Sequence, residues 1–327
     1  MRAIALVRPA TLNILLCLAG FALQSAFAQS YPVKPIRLIL GFPPGGGVDV
    51  VARQLVPKLS EQLGQQVVIE NRPGAGGNIA FELLANAPAD GYSLMMTTPT
   101  LTVNPGLYRK VAYDPLNDFA PVAMVASTIY MLVVHPSLPV KSVKELIALA
   151  GAKPRELTYS SGGNGAAAHL AGEMFKSMTR IDVVHVPYKG IAPALVALLS
   201  GEAQLTFGSL PSTLPHVRAG KLRALAVTSA ARSRFVPELP SIAEAGVPGY
   251  ETTAWYGVIA PAKTPKAIVT RLASELTKVL GLEEVKGRFS SQSIEVVTST
   301  PERFGEFIRT ELAKWRNVVK TSGMRVD

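Results

Sequence analysis

The 327-residue chain carries one cysteine, Cys17. A lone thiol can form neither an internal disulfide nor a thiolate metal cluster, so stability has to come from an apolar core. Histidine is nearly as scarce, with His135, His169, His185 and His216 the full set. No two of them stand at the i, i+4 spacing of a helical metal site, and each reads as an ordinary surface or core histidine. No Gly-x-Ser-x-Gly elbow supplies a strained serine nucleophile. The Gly45-Gly46-Gly47 loop lacks the Gly-Lys-Ser/Thr ending of a P-loop and the Gly-x-Gly-x-x-Gly spacing, which argues against a dinucleotide site. No apolar run reaches the ~20 residues of a membrane span.

What is present begins with an export signal. Arg2 and Arg8 precede an apolar stretch over 12–23, and Ala26-Phe27-Ala28 has the small-x-small form of a cleavage site. Residues 1–28 are therefore expected to be a signal peptide, with the mature protein starting near Gln29 in the periplasm. A lipid anchor on Cys17 fits poorly, because Leu16 stands where a small residue is wanted. The formal charge of +10 includes Arg2 and Arg8, so the mature chain keeps about +8. Lys and Arg are interspersed with Glu and Asp, without long runs or an aromatic platform, which argues against nucleic acid. A mild positive field that draws small anions to a cleft is the simpler use of the charge. About 300 residues suggest two domains.

Strand and helix patterns alternate along the chain. Runs at 36–40, 67–70 and 92–97 are separated by helical patterns at 49–63 and 78–86, the βαβαβ order of a parallel sheet. A second series places strands at 130–135, 157–160, 183–186, 204–207 and 222–228. Its helices fall at 143–150, 166–178, 192–199 and 214–219. A strand at 252–259 and helices at 266–281, 283–290 and 301–322 complete the pattern. Two α/β lobes are expected, with the chain crossing near 119–130 and 246–253. Pro57 inside the first helix removes one backbone donor and should kink it.

Three strand-to-helix loops are rich in glycine: Gly41-Phe42-Pro43-Pro44-Gly45-Gly46-Gly47-Val48-Asp49, Glu70-Asn71-Arg72-Pro73-Gly74-Ala75-Gly76-Gly77-Asn78 and Ser160-Ser161-Gly162-Gly163-Asn164-Gly165. Each could be a plain turn. Loops after strand C-termini in open α/β sheets line one crevice, however, and helix N-termini bind anions through backbone N–H groups alone. Neutral hydrogen-bonding groups follow other strands: Thr98, Thr100 and Asn104; Tyr188 and Gly190; Gly208 and Ser209. Hydroxyls, amides and backbone donors can hold a carboxylate directly or through water, with Phe42 and Tyr188 against the apolar part of the ligand. An exported hydrolase or isomerase would have only Asp49 or Lys189 as its acid–base group.

These segments resemble a known family. The loops at 42–53 and 70–77, Ala89-Asp90-Gly91-Tyr92-Ser93-Leu94, Tyr159-Ser160-Ser161-Gly162, Val186-Pro187-Tyr188-Lys189-Gly190, the segment 220–228, Pro240-Ser241-Ile242-Ala243-Glu244-Ala245-Gly246 and Ser299-Thr300-Pro301-Glu302 occur in the order found in the extracytoplasmic solute receptors of tripartite tricarboxylate transporters, also called Bug receptors. The resemblance implies a two-lobed, type II-like periplasmic binding-protein fold, each lobe a mostly parallel sheet flanked by helices. Lobe 1 would be 29–125 plus 251–327, and lobe 2 would be 126–250. It also implies a monomer that binds a small carboxylate between the lobes, without cofactor, metal or catalysis, and passes it to integral-membrane permease subunits. A sensor signalling to a membrane partner is the alternative. The expected ligand-contacting residues are Phe42, Pro44, Gly45, Gly46, Gly47, Asp49, Gly76, Gly77, Thr98, Thr100, Asn104, Ser160, Ser161, Gly162, Asn164, Tyr188, Gly190, Gly208 and Ser209. Relatives often carry a hydroxyl residue after the second-lobe glycines, where this chain has Ala166, Ala167 and Ala168.

Overall fold

The apolar run β1 (Ile36–Leu40) is buried at all but one position, as a strand must be when helices cover both faces of its sheet. In this computed structural model, which describes residues 31–325, β2 (Val67–Asn71) and β3 (Ser93–Thr97) flank β1 in parallel, with Ile36 beside Val67 and Arg37 beside Ser93. The expected signal peptide, Cys17 included, lies outside the described residues. α1 (Gly47–Leu63) and α2 (Asn78–Ala85) are the crossovers. α1 runs unbroken through Pro57 and stops at Gly64, whose φ of 66° suits glycine. A short helix, α3 (Thr100–Leu107), follows β3; Pro99 and Pro105 conceal it in the sequence.

The next strand departs from expectation. Residues 119–130 read as a crossing and 130–135 as a separate strand, yet β4 (Phe119–Val134) is a single strand of 16 residues. Pro121 lies where the register against its neighbour shifts, a position at which the missing N–H removes no regular ladder bond. Beyond β4 the chain forms α4 (Val143–Ala152), β5 (Thr158–Ser161), α5 (Ala167–Thr179), β6 (Val184–Pro187), α6 (Ile191–Leu199), β7 (Leu205–Ser209), α7 (Leu210–Arg218) and β8 (Arg223–Val227). It returns through β9 (Thr253–Pro261) and ends in α8 (Lys266–Gly281), α9 (Glu283–Ser291), the short β10 (Glu295–Val296) and α10 (Pro301–Ser322).

The strand order is β2-β1-β3-β9-β4-β7-β5-β6, with β8 and β10 also paired to β4. β4 changes partners along its length. Residues 119–129 pair antiparallel with β9, and 130–134 pair antiparallel with β7. One strand thus belongs to two sheet halves, each with helices on its faces, giving a two-lobed mixed α/β fold. The second crossing is clamped by buried Thr228: its N–H donates to the Tyr130 carbonyl, its Oγ1 accepts from the Tyr130 N–H at 3.0 Å, and its carbonyl accepts from the Thr252 N–H.

α10 ties the halves together on one side. Thr300 caps its start by accepting from the Arg303 N–H, Pro301 occupies the first turn, and Gly323 at φ 69° ends it. Its Trp315 and Val319 pack with Val103 and Leu107 of α3 and Leu170 of α5 in one buried cluster. Trp315 satisfies its indole N–H on Glu311 at 3.0 Å.

Candidate functional site

Parallel strands point their C-terminal ends to one edge. In one half β1, β2 and β3 deliver the chain to the N-termini of α1, α2 and α3; in the other, β5, β6 and β7 deliver it to α5, α6 and α7. None of these six helices is capped by a side chain; their N-cap residues are Gly46, Gly77, Pro99, Ala166, Gly190 and Ser209. α4 and α10, which start elsewhere, are capped by Ser142 and Thr300, although α8 and α9 are not. Uncapped first turns leave N–H donors and the positive end of the helix dipole for an anion. The two edges meet: a Cβ placed on Gly165 would lie 3.1 Å from Leu107 Cδ2 and 4.0 Å from Asn104 Oδ1.

The first loop is held by Asp49, which is 3% exposed. Its Oδ2 accepts from the Gly45 N–H at 2.9 Å and from Arg53 Nε at 2.8 Å. Its Oδ1 accepts from Asn71 Nδ2 at 3.2 Å, and the same amide group donates to the Phe42 carbonyl. Burial would raise the Asp49 pKa, but the bonds from Arg53, Gly45 and Asn71 outweigh it and hold the carboxyl below its usual range. Gly45 sits at φ 81°, and exposed Pro44 leads into it. Gly46 is extended at φ −76° and caps α1. A Cβ on Gly47 would lie 2.5 Å from the Tyr256 hydroxyl, so this glycine lets the loop rest against β9.

Gly77 draws the neighbouring loops together, since a Cβ there would be 3.5 Å from Phe81 and Thr100 Oγ1 and 3.7 Å from Phe42. The hydroxyls of Thr98 and Thr100 are 2.9 Å apart. Asn104, fully buried, donates from Nδ2 to the Gly76 carbonyl at 3.1 Å and to Asn78 Oδ1 at 2.7 Å. A carbonyl only accepts, so the amide orientation is determined, and Asn104 Oδ1 is left without a protein partner.

In the second half Ser160 serves the framework: its Oγ donates to the Ala194 carbonyl at 3.0 Å, and its carbonyl accepts from Thr206. Ser161 shapes the loop, with its Oγ accepting from the Gly163 N–H, reaching the Gly163 carbonyl at 3.1 Å and meeting His185 Nε2 at 2.6 Å. Gly162 permits close passage of the next loop, because a Cβ would stand 3.1 Å from the Ile191 nitrogen. Across that gap Tyr188 and Gly190 donate their N–H groups to the carbonyls of Ser161 and Gly162. Gly190 adopts φ 114°, and Asn164 is exposed at the loop tip. Gly208 leaves room for the Thr213 side chain, and the Ser209 hydroxyl pairs with that of Ser212 at 2.7 Å, so both serve the turn into α7.

Two aromatic residues escaped the sequence reading. Tyr130 of β4 and Tyr256 of β9 are buried, and each pKa is pushed upward mainly by burial. Their only signal was a polar-tipped aromatic inside an otherwise apolar strand pattern. Among the described residues no group of three or more His, Cys, Asp or Glu could hold a metal ion, and no helix is long and apolar enough to cross a membrane.

The arrangement has counterparts. Residues 51–324 match the family described as "Tripartite tricarboxylate transporter family receptor". The chain is 37% identical to Protein BugT of Bordetella pertussis (strain Tohama I) over 97% of this chain and 98% of the relative. Among solved structures it is similar to R. palustris Rpa4515 with adipate, at 41% identity and TM-score 0.84, covering 90% of this chain and all of that one. The periplasmic binding protein BugD is similar at 31% identity and TM-score 0.82, over 90% of this chain and all of the other. Uncapped helix starts on two facing edges, and a match that spans nearly the whole described chain, lead to one assignment: the chain belongs to the tripartite tricarboxylate transporter receptor family, among the Bug receptors.

Proposed function

We propose that this receptor grips the carboxylate of a small ligand between the loop at 42–47 and the loops at 160–165 and 188–190, and presents it to integral-membrane permease subunits as a periplasmic monomer. The family is one of solute receptors, so binding is the function and no turnover is involved. The observation that carries the site is the set of six uncapped helix N-termini on two facing sheet edges. Support for the ligand class comes from Rpa4515, whose structure contains adipate. The carboxylate of Asp49 is engaged on both oxygens, by Gly45 of the loop, Arg53 of α1 and Asn71 of β2, which suits a scaffold role and not acid–base chemistry.

The lobes are taken as 29–125 plus 251–327 and 126–250. The change of partners along β4, from β9 to β7, favours a boundary close to this one. A ligand that touches both lobes stabilises the closed form by its differential affinity for it, and a permease can read closure as occupancy.

The test is a thermal-shift panel of adipate, shorter and longer dicarboxylates, hydroxy acids, amino acids and tricarboxylates, with the matching amides. A ligand at 100 times its Kd adds about 2.7 kcal/mol, a shift of several degrees. Acids that stabilise where their amides do not establish carboxylate recognition. Equal responses to acids and amides, or silence across the panel with no co-purified acid in native mass spectrometry, overturn it.

A further inference from the structure

Beneath the second loop lies a polar cluster that the ligand reading does not use. His169, at the start of α5, is 6% exposed, and its ring stacks on that of His185 of β6 at 4.2 Å with an interplanar angle of 21°. His185 stacks in turn on Tyr159 of β5 at 4.7 Å. Each imidazole reaches into the loop. The Gly165 N–H donates to His169 Nδ1 at 3.1 Å, and His185 Nε2 meets Ser161 Oγ at 2.6 Å. The two rings therefore grip the loop at both ends, Ser161 and Gly165, and Gly165 is the residue that abuts α3 across the cleft.

We propose that His169 and His185 are positioning residues that hold the loop at 161–165 in its ligand-binding form, with His169 obliged to keep an unprotonated Nδ1. The obligation follows from donor and acceptor counting. A backbone N–H only donates, so the Gly165 bond exists only while His169 Nδ1 carries a lone pair, which places the ring proton on Nε2. Protonating Nδ1 would set two N–H groups against each other in a buried site, leaving the Gly165 donor unsatisfied.

The surroundings keep the rings neutral. Burial lowers the His169 pKa, opposed by Glu173 and aided by Lys176, both on α5. Burial, then His169, then Lys176 bring His185 down to about 3. Glu173 is itself occupied, accepting from the Tyr159 hydroxyl at 2.7 Å and from Lys176 Nζ at 2.8 Å. A cation on one ring would face the other ring, and Lys176 adds a like charge, so the cluster resists its first proton and a second still more.

The inference rests on the proposed ligand loop, and its test separates the two. Imidazole 15N NMR of the ligand-free protein should show His169 as the Nε2–H tautomer at pH 7, and the Gly165 amide should be protected from exchange. His169→Leu should lower that protection by at least about tenfold and weaken adipate binding in proportion. His169→Asn, whose side-chain oxygen can stand where Nδ1 stood, should restore both and abolish their loss on acidification. If His169→Leu does not fold, the wild-type and His169→Asn pH profiles carry the comparison. A proton on Nδ1 at pH 7, unchanged Gly165 protection in His169→Leu, or identical pH profiles for wild type and His169→Asn would overturn the positioning role. Loop protection that follows the expected pattern in a protein that ignores adipate and every other acid of the panel would uphold it and count against the ligand reading instead.

Discussion

The two halves of the cleft secure their loops by opposite means. In the first, a carboxylate, Asp49, collects the Gly45 N–H, the Arg53 guanidinium and the Asn71 amide. In the second, uncharged groups do the work: the His169 and His185 rings and the Ser161 hydroxyl. The fastening charge of Asp49 is balanced by Arg53 one turn further along α1, so the free donors of the α1 N-terminus still face an anion. The second loop achieves the same with no ionised fastening at all. Both solutions keep net negative charge away from the place where a carboxylate would sit, and they differ in how they respond to acid.

The largest effect expected on this comparison is from Gly46→Leu. Its φ of −76° accepts any L residue, and a Cβ there meets nothing nearer than 3.5 Å, so the fold tolerates the change while the side chain projects from the helix start. Isothermal titration should show adipate binding weakened by at least about 100-fold, some 2.8 kcal/mol, with an unchanged apo melting temperature. Normal binding would remove the α1 N-terminus from the site.

Asp49→Ala breaks the first fastening. It leaves the Gly45 N–H and Arg53 without their acceptor and should lower stability by about 2 kcal/mol in urea unfolding, in line with bonds to charged groups. Asp49→Asn, which keeps one acceptor oxygen, should lose less. Equal losses in the two variants would mean that the charge, not the hydrogen-bond geometry, secures the loop.

Acid distinguishes the halves. The His169 and His185 pKa values are lowered on folding, so below the unfolded histidine value of about 6.5 the native state binds fewer protons than the unfolded one. Stability should then fall as pH drops from about 6.5, by no more than about 1.4 kcal/mol per pH unit for each ring. The Asp49 carboxyl, also lowered, stabilises above the ordinary carboxylate range and loses its contribution only below about pH 4. Urea midpoints between pH 7 and 4 should therefore slope in the wild type and flatten in the His169→Asn, His185→Gln double variant. The smallest effect belongs to Tyr256→Phe: removing the hydroxyl beside Gly47 should change adipate affinity by about threefold or less, with near-wild-type stability.

Much of this was legible in the chain. Alternating strand and helix periods located most elements, and glycine clusters placed the loops where parallel strands end. Asp49 was visible as a candidate, but its direction was not, since the choice between ligand and loop depends on Asn71 and Arg53 arriving from a strand and a helix turn away. Ser161 and Gly162 stood out, whereas His169 and His185 looked ordinary because their stacking joins residues 16 positions apart by pairing β5 with β6 above α5. The unity of β4 was hidden by Pro121 and by polar Ser127 and Thr128, which break the apolar pattern at the passage between halves.

That unbroken strand has a consequence for the order of assembly. β3 has no antiparallel neighbour until β9 arrives, and β9 is encoded more than a hundred and fifty residues later. A chain emerging from the N-terminus carries β1, β2 and β3 early, yet the β3 edge stays open until residues 257–259 are available. The half encoded by the middle of the sequence, 130–228, draws the partners of its strand segments from within that span, and the outer half is completed against the other stretch of β4. The first strands in sequence thus depend on one of the last, and any truncation before Gly257 leaves β3 with an unpaired strand edge.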